Sequence, residues 1–257
     1  LTLKEVYNAL YDNVYAEWIT CGDVDTNKVF MFIHGGGYYR GSIASTRATV
    51  ARISAQAKVK CLFIEYRLAP EHPFPAAIDD TYTAYKWLLK EGFKSQDIIV
   101  SGQSAGGGLC LSLLLKLKDN NEIQPLGAVA ISPWTDLTQS GVTMVTNADI
   151  DPIISKKYLD RMSSLYLANG SEPSHLASPL LGNLSGLPPI LVQVGTAETM
   201  LDDSKRFVEK AKKAKVDIQI EVWEDMFHGW HGNAHILKDA EQAIHNIGVF
   251  CKNLYNK

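Results

Sequence analysis

The chain has 257 residues and lacks the features that mark membrane proteins, nucleic-acid binders and disulfide scaffolds. No apolar stretch approaches the roughly 18 residues that a membrane helix needs, so membrane insertion is not expected. Basic residues number 25 and acidic residues 28, a formal net charge of -3 with no long basic run. Nothing there drives binding to nucleic acid or to an anionic surface. The four cysteines, Cys21, Cys61, Cys110 and Cys251, are widely separated and form no CxxC pair. A disulfide framework is therefore not expected, and neither is a metal site. Three of the four have apolar neighbours and read as small core residues in a reducing compartment, taken to be the cytoplasm. The first residues, Leu1-Thr2-Leu3-Lys4-Glu5-Val6, lack the basic-then-apolar pattern of a secretion signal. They also lack an initiator methionine, so residues upstream are expected to be missing and a removed signal stays open.

What is present is a rhythm of short apolar runs and amphipathic segments. Strands are expected at Val29–Ile33, Lys60–Ile64, Asp97–Ser101, Leu126–Ile131, Ile190–Val194 and Ile218–Val222. Their continuous apolar character suits burial on both faces. Helices are expected at about Ser45–Lys58, Ala76–Glu91, Ala105–Lys118, Asp202–Lys215 and Ile236–Lys252. The fourth carries Phe207, Val208, Ala211 and Ala214 on one face and lysines opposite. Alternation of this kind predicts an α/β fold with a mostly parallel, doubly wound sheet flanked by helices. Val14 to Thr20 reads as an antiparallel edge strand. Nearly sixty residues separate the strands at Ile131 and Ile190, too many for a plain crossover; they read as an excursion above the sheet, with a helix at about Ser155–Leu167. One domain spanning 1–257 is expected, with an insertion at about 140–185.

Two glycine clusters follow strands. The first to weigh is Val100-Ser101-Gly102-Gln103-Ser104-Ala105-Gly106-Gly107-Gly108. It has no lysine at the P-loop position and its glycines miss the dinucleotide register, so neither phosphate-binding motif fits. Gly102-Gln103-Ser104-Ala105-Gly106 does fit G-x-S-x-G, a turn so tight that side chains two residues either side of the serine would clash. Such a turn presents the Ser104 hydroxyl above the sheet at the start of a helix, where partial positive charge favours a developing anion. The pattern alone arises by chance in roughly one chain in ten, so its weight comes from the strand before and the helix after. The second cluster is His34-Gly35-Gly36-Gly37-Tyr38. Three glycines in succession stabilise nothing by themselves, so exposed backbone must be useful there. Acyl transfer needs N–H donors for the oxyanion of a tetrahedral intermediate, each lowering the barrier by about 3–4 kcal/mol. The amide of Ala105 would supply another donor. His34, on the oxyanion side, reads as a local loop-holder.

A serine needs a base oriented by a carboxylate. His228 lies just past the strand ending at Val222, at a carboxyl-terminal strand tip where open α/β sheets place their chemistry. His231 and His235 read as solvated residues near the final helix. Glu198 falls in the loop beyond Ile190–Val194, while Asp202 and Asp203 read as the first turn of the next helix. Glu198 is preferred over Asp202 as the acid.

Together, His34-Gly35-Gly36-Gly37, the stretch Tyr66-Arg67-Leu68-Ala69-Pro70-Glu71-His72-Pro73-Phe74-Pro75-Ala76-Ala77, Gly102-Gln103-Ser104-Ala105-Gly106-Gly107 and His228-Gly229-Trp230 resemble the hormone-sensitive-lipase-like branch of the α/β-hydrolases. The four motifs occur in that family's order over about residues 29–232. The resemblance implies a serine carboxylesterase acting on short- to medium-chain esters through an acyl-enzyme, with no cofactor. It assigns Ser104 as nucleophile, His228 as base and Glu198 as acid, and gives the oxyanion hole to the amides of Gly36, Gly37 and Ala105. It makes Tyr66–Pro75 structural, with Arg67 and Glu71 as a pair. The residue before the nucleophile is often Asp in the family and is Gln103 here. The family's amino-terminal helical cap has little room, so cap elements are expected from about 1–13 and from the insertion. Tyr38, Trp134, Ile153, Ile154 and Tyr158 are candidate pocket walls. The expected partner is a small-molecule ester, and the family likeness adds a homodimer through an exposed sheet edge. The rival readings are an amidase, thioesterase or lactonase using the same three residues, and a ligand-binding relative without turnover. Such receptors typically lack the histidine, which is present here.

Overall fold

The computed structural model describes residues 3–12, 14–168 and 172–256. Among the described residues, eight strands form one sheet: β1 (Leu3–Tyr11), β2 (Val14–Cys21), β3 (Asp25–Ile33), β4 (Val59–Glu65), β5 (Ile98–Gln103), β6 (Gly127–Ile131), β7 (Ile190–Gly195) and β8 (Ile218–Trp223), in the order β1-β2-β4-β3-β5-β6-β7-β8. The β1–β2 and β2–β4 pairs are antiparallel, and every other pair is parallel. The α-helices of the described residues are α1 (Ile43–Ala57), α2 (Ala76–Lys90), α3 (Ala105–Asp119), the one-turn α4 (Thr143–Thr146), α5 (Lys156–Tyr166), α6 (Leu201–Lys213) and, after the last strand, α7 (Lys238–Tyr255).

Burial explains the strand sequences. All five residues of β6 and all six of β7 are buried, which requires apolar side chains on both faces and no alternation. At the sheet edge, β8 is only partly covered, and its Gln219 and Glu221 sit among apolar residues. One core lies on the face covered by α2, α3, α5 and α6, the other under α1 and α7. α3 is buried almost throughout, so its Leu-rich sequence lacks a polar face. α6 instead buries Phe207, Val208 and Ala211 and turns Lys212 and Lys213 outward. Cys21, Cys61, Cys110 and Cys251 are all buried. Among the described residues, no helix is long and apolar enough to cross a membrane.

Three expectations are corrected. Val14–Cys21 is antiparallel, but it is not the edge, because β1 pairs along its outer side. The same pairing makes Leu3–Tyr11 a strand of the sheet, where a cap element was expected at about 1–13; residues 1, 2 and 13 lie outside the described residues. Arg67 pairs with Asp80, not Glu71: its guanidinium and its backbone N–H both reach the Asp80 carboxylate, at 2.7 and 2.8 Å. Asp80 lies in the first half of α2 and is buried, so it needs the charge and the N–H that Arg67 brings.

The insertion at about 140–185 contains α4 and α5, and residues 169–171 of it lie outside the described residues. Ser155 caps α5 by accepting the Tyr158 N–H.

Candidate active site

Three loops at the carboxyl ends of β3, β5 and β8 meet at a cavity of about 550 Å³, closed on its far side by Ile153, Ile154, Tyr158 and Leu159 of the insertion. Volumes of this order suit small-molecule ligands. Ser104 and His228 both line it.

The glycines around Ser104 are required by backbone contact. A Cβ on Gly102 would stand 2.1 Å from the Gly106 carbonyl oxygen, and one on Gly106 would stand 2.2 Å from the Ile33 carbonyl oxygen. Ser104 itself has φ 58° and ψ -122°, a conformation rarely adopted by a residue with a side chain. Its backbone is pinned on both sides: its N–H donates to Ile131 (2.8 Å), and its carbonyl accepts from Trp134 (3.1 Å) and Gly108 (2.9 Å). Ala105 begins α3, so its N–H is one of the first-turn donors that the helix leaves unpaired.

The His34–Gly37 loop rests directly on this turn. A Cβ on Gly35 would meet the Gln103 carbonyl oxygen at 2.9 Å and the Ser104 Cβ at 3.0 Å. Gly36 has φ 116°, and a Cβ there would be 1.9 Å from the Arg40 carbonyl oxygen. His34 is buried, stacks on Tyr66 at 4.3 Å, and its Nδ1–H donates to the Gly35 carbonyl at 2.7 Å. The carbonyl can only accept, so the proton sits on Nδ1. Burial lowers the ring's pKa to about 4 and keeps it neutral. His34 does not line the cavity.

Glu198 is fully buried. Its Oε1 accepts from Ser132 Oγ and from the Gly195 N–H, both at 2.7 Å, and its Oε2 lies 2.7 Å from His228 Nδ1. A carboxylate at Nδ1 fixes the proton there and leaves Nε2 as the basic nitrogen. The backbone around Glu198 is held from the insertion. Asn147 Nδ2 donates to the Thr196 and Glu198 carbonyls (2.9 and 2.8 Å). Asp151 accepts from Thr199 N and Oγ1 through one oxygen and from the Ile153 and Ile154 N–H groups through the other. Asp202 is engaged elsewhere, accepting the Thr143 N–H at 3.2 Å. Asp203 is buried beneath the site, accepting the Thr135 and Asp136 N–H groups, and burial with Asp136 nearby raises its pKa to about 7.

The pocket expectation divides. Ile153, Ile154 and Tyr158 line the cavity, whereas Tyr38 and Trp134 do not. Tyr38 is buried, stacked on Tyr166 at 3.8 Å and close to Trp134, and its backbone has a φ of 61°. Trp134 is fully buried, and its Nε1–H donates to the Asp136 carbonyl. His231 is likewise not solvated. It is fully buried, donates from Nε2 to Gln193 Oε1 at 2.8 Å, and burial next to His228 lowers its pKa to about 3. The buried polar residue Gln193 inside an otherwise apolar strand was the available signal for such a partner. Asn147 and Asp151 had none, since polar residues in a loop are the ordinary case.

The sequence profile of the α/β-hydrolase fold family matches residues 30–232. An acetyl-hydrolase of Streptomyces hygroscopicus is 38% identical over 238 residues, covering 92% of this chain and 79% of that protein. An esterase of Acinetobacter venetianus is 37% identical over 228 residues, 88% of this chain and 75% of that one. The crystal structure of an esterase from the bacterial hormone-sensitive lipase family superposes with a TM-score of 0.96 at 41% identity, covering 98% of this chain and 84% of that chain. On these matches the chain belongs to the α/β-hydrolase fold family, in its hormone-sensitive-lipase-like branch, and is a carboxylic ester hydrolase.

Proposed function

We propose that the protein hydrolyses short- to medium-chain carboxylic esters by an acyl-enzyme mechanism using Ser104, His228 and Glu198. The observation that carries this reading is the buried Glu198–His228 pair beside Ser104 at one cavity. His228 Nε2 takes the Ser104 proton as Oγ attacks the ester carbonyl carbon. The C=O electrons move onto oxygen, and the N–H groups of Gly36, Gly37 and Ala105 receive the resulting oxyanion. The tetrahedral intermediate collapses with loss of the alcohol, which takes its proton from His228. Water, deprotonated by the same ring, then attacks the acyl-serine, and the acid is released as Ser104 regains its proton. Glu198 orients the ring through Nδ1 and stabilises the imidazolium in each half-reaction. Gly195 N–H and Ser132 Oγ hold Glu198, so the acid's extra methylene relative to aspartate is accommodated by anchoring its other oxygen.

The short-chain preference is inferred from the wall formed by Ile153, Ile154 and Tyr158 and from the acetyl-hydrolase relative. The test is hydrolysis of nitrophenyl esters of increasing acyl length by native protein and by Ser104→Ala. Native protein should turn over the short esters, with the rate falling as the chain outgrows the cavity. Ser104→Ala should retain no more than about one part in 10⁴ of kcat/KM. Equal activity of the two proteins would refute the assignment.

A further inference from the structure

The rim of the cavity carries an uncompensated positive charge. Among the described residues lining it there is no aspartate or glutamate, and Arg40 is the only permanently charged side chain. Arg40 is exposed, and its guanidinium lies over the Tyr158 ring, 5.5 Å from its centre, with no carboxylate paired to it among the described residues. An arginine seated on an aromatic face keeps its N–H groups free for an in-plane acceptor. Its backbone is part of the oxyanion-side turn: Arg40 N–H donates to the Gly36 carbonyl at 3.0 Å, and its own carbonyl packs where a Gly36 side chain would be. The root of the side chain is thus fixed relative to the glycine amides. Ser42, Ser45 and Thr46 line the cavity beside it, so that end is polar while the Ile153–Leu159 end is apolar.

We propose that Arg40 is a specificity-determining residue that selects esters carrying a carboxylate away from the scissile bond, such as half-esters of dicarboxylic acids. A single guanidinium with no second cation matches a single negative charge, and its fork suits a carboxylate in bidentate geometry. The charge does not enter the bond-breaking steps. It binds the remote end of the substrate and orients the ester toward Ser104. This inference rests on the ester hydrolysis proposed above.

The test compares matched pairs of substrates by pH-stat. Monoethyl adipate against ethyl hexanoate places the charge on the acyl side, and 4-acetoxybutyrate against butyl acetate places it on the alcohol side. Each pair is measured with native protein, R40Q and R40K. The readout is the ratio of kcat/KM for the anionic to the neutral ester, whatever the absolute rate. On one of the two pairs this ratio should fall about tenfold in R40Q and less in R40K, and the native ratio should decline with added salt. A ratio unchanged in R40Q on both pairs, with neutral esters still hydrolysed by native protein, overturns this inference and leaves the esterase reading standing. Native protein inert toward all four esters overturns both.

Discussion

The floor and the roof of the cavity are built by different means. The floor is backbone pressed on backbone. The Gly35 loop, the Ser104 turn and the ends of β3 and β5 approach so closely that Gly35, Gly36, Gly102 and Gly106 each leave no room for a Cβ. The roof, from Asp136 to Tyr166, is irregular chain held by side-chain carboxylates and amides: Asp136 by Thr138, Ser140 and Arg206, Asn147 on the Thr196–Glu198 backbone, and Asp151 between Thr199 and Ile153–Ile154. Close backbone packing gives a floor with little freedom to adapt. A hydrogen-bonded roof can change its residues, and with them its contacts to substrate, while the same acceptors hold the same loop. Glu198, the proposed acid, has its carboxylate held by Ser132 and the Gly195 N–H at the ends of β6 and β7 and its backbone held by the roof.

The sharpest way to break this picture is at the acid. Glu198→Ala should lower kcat on nitrophenyl butyrate about 10³- to 10⁴-fold with an unchanged circular dichroism spectrum. Asp202→Ala, four residues on, should lose less than about tenfold, since Asp202 holds Thr143 rather than His228. The reverse ranking would transfer the role to Asp202.

A smaller effect tests whether the roof positions the acid. Asp151→Ala removes four hydrogen bonds that join the pocket wall to the acid loop. We expect kcat/KM to fall about tenfold, with kcat and KM both affected, because Thr199 adjoins Glu198 and Ile153 lines the cavity. A loss of thermal stability with both kinetic constants intact would make Asp151 purely structural.

The smallest effects concern stability against pH, and here the burial around the floor acts in two directions. His34 and His231 have folded-state pKa values lowered to about 4 and about 3, so below their unfolded value near 6.5 the unfolded chain binds protons that the folded chain refuses. Stability therefore falls as pH drops from 6.5, by roughly 2 kcal/mol per ring at pH 5. Asp203 is opposite in sign: raised to about 7, it contributes stability that is complete below about 3.8 and is lost as pH rises through 7. His231→Gln should flatten the acid limb of Tm against pH, whereas Asp203→Asn should steepen it and raise Tm at pH 8. Parallel shifts of the whole curve in both variants would contradict this assignment of the titrating groups.

The contrast between floor and roof also explains what could be read from the residues alone. The floor was legible because close approach demands glycine, and glycine at fixed spacing around Ser104 and after His34 is visible in a sequence. The strands were legible because burial on both faces forces apolar runs, as in Ile190-Leu191-Val192. The roof was not. Its hydrogen bonds use Asn and Asp in loops, where those residues are ordinary, and the partners lie some fifty residues apart, as Asn147 and Glu198 do. Large aromatic residues misled in the same way: Tyr38 directly follows the glycine cluster and Trp134 follows β6, but size favoured packing in the core over lining the cavity. His231 was misplaced because nothing local distinguishes a histidine that hydrogen-bonds a buried glutamine from one in solvent.

The proposed mechanism turns on Ser104 carrying the acyl group between its two half-reactions. The most direct measurement is to mix the native protein with excess nitrophenyl butyrate, quench in acid during steady turnover, and locate any added mass by peptide mass spectrometry. One butyryl group should be found on the peptide containing Ser104, and no adduct there in Ser104→Ala. Butyryl on a different residue, or continued turnover by Ser104→Ala, would contradict it.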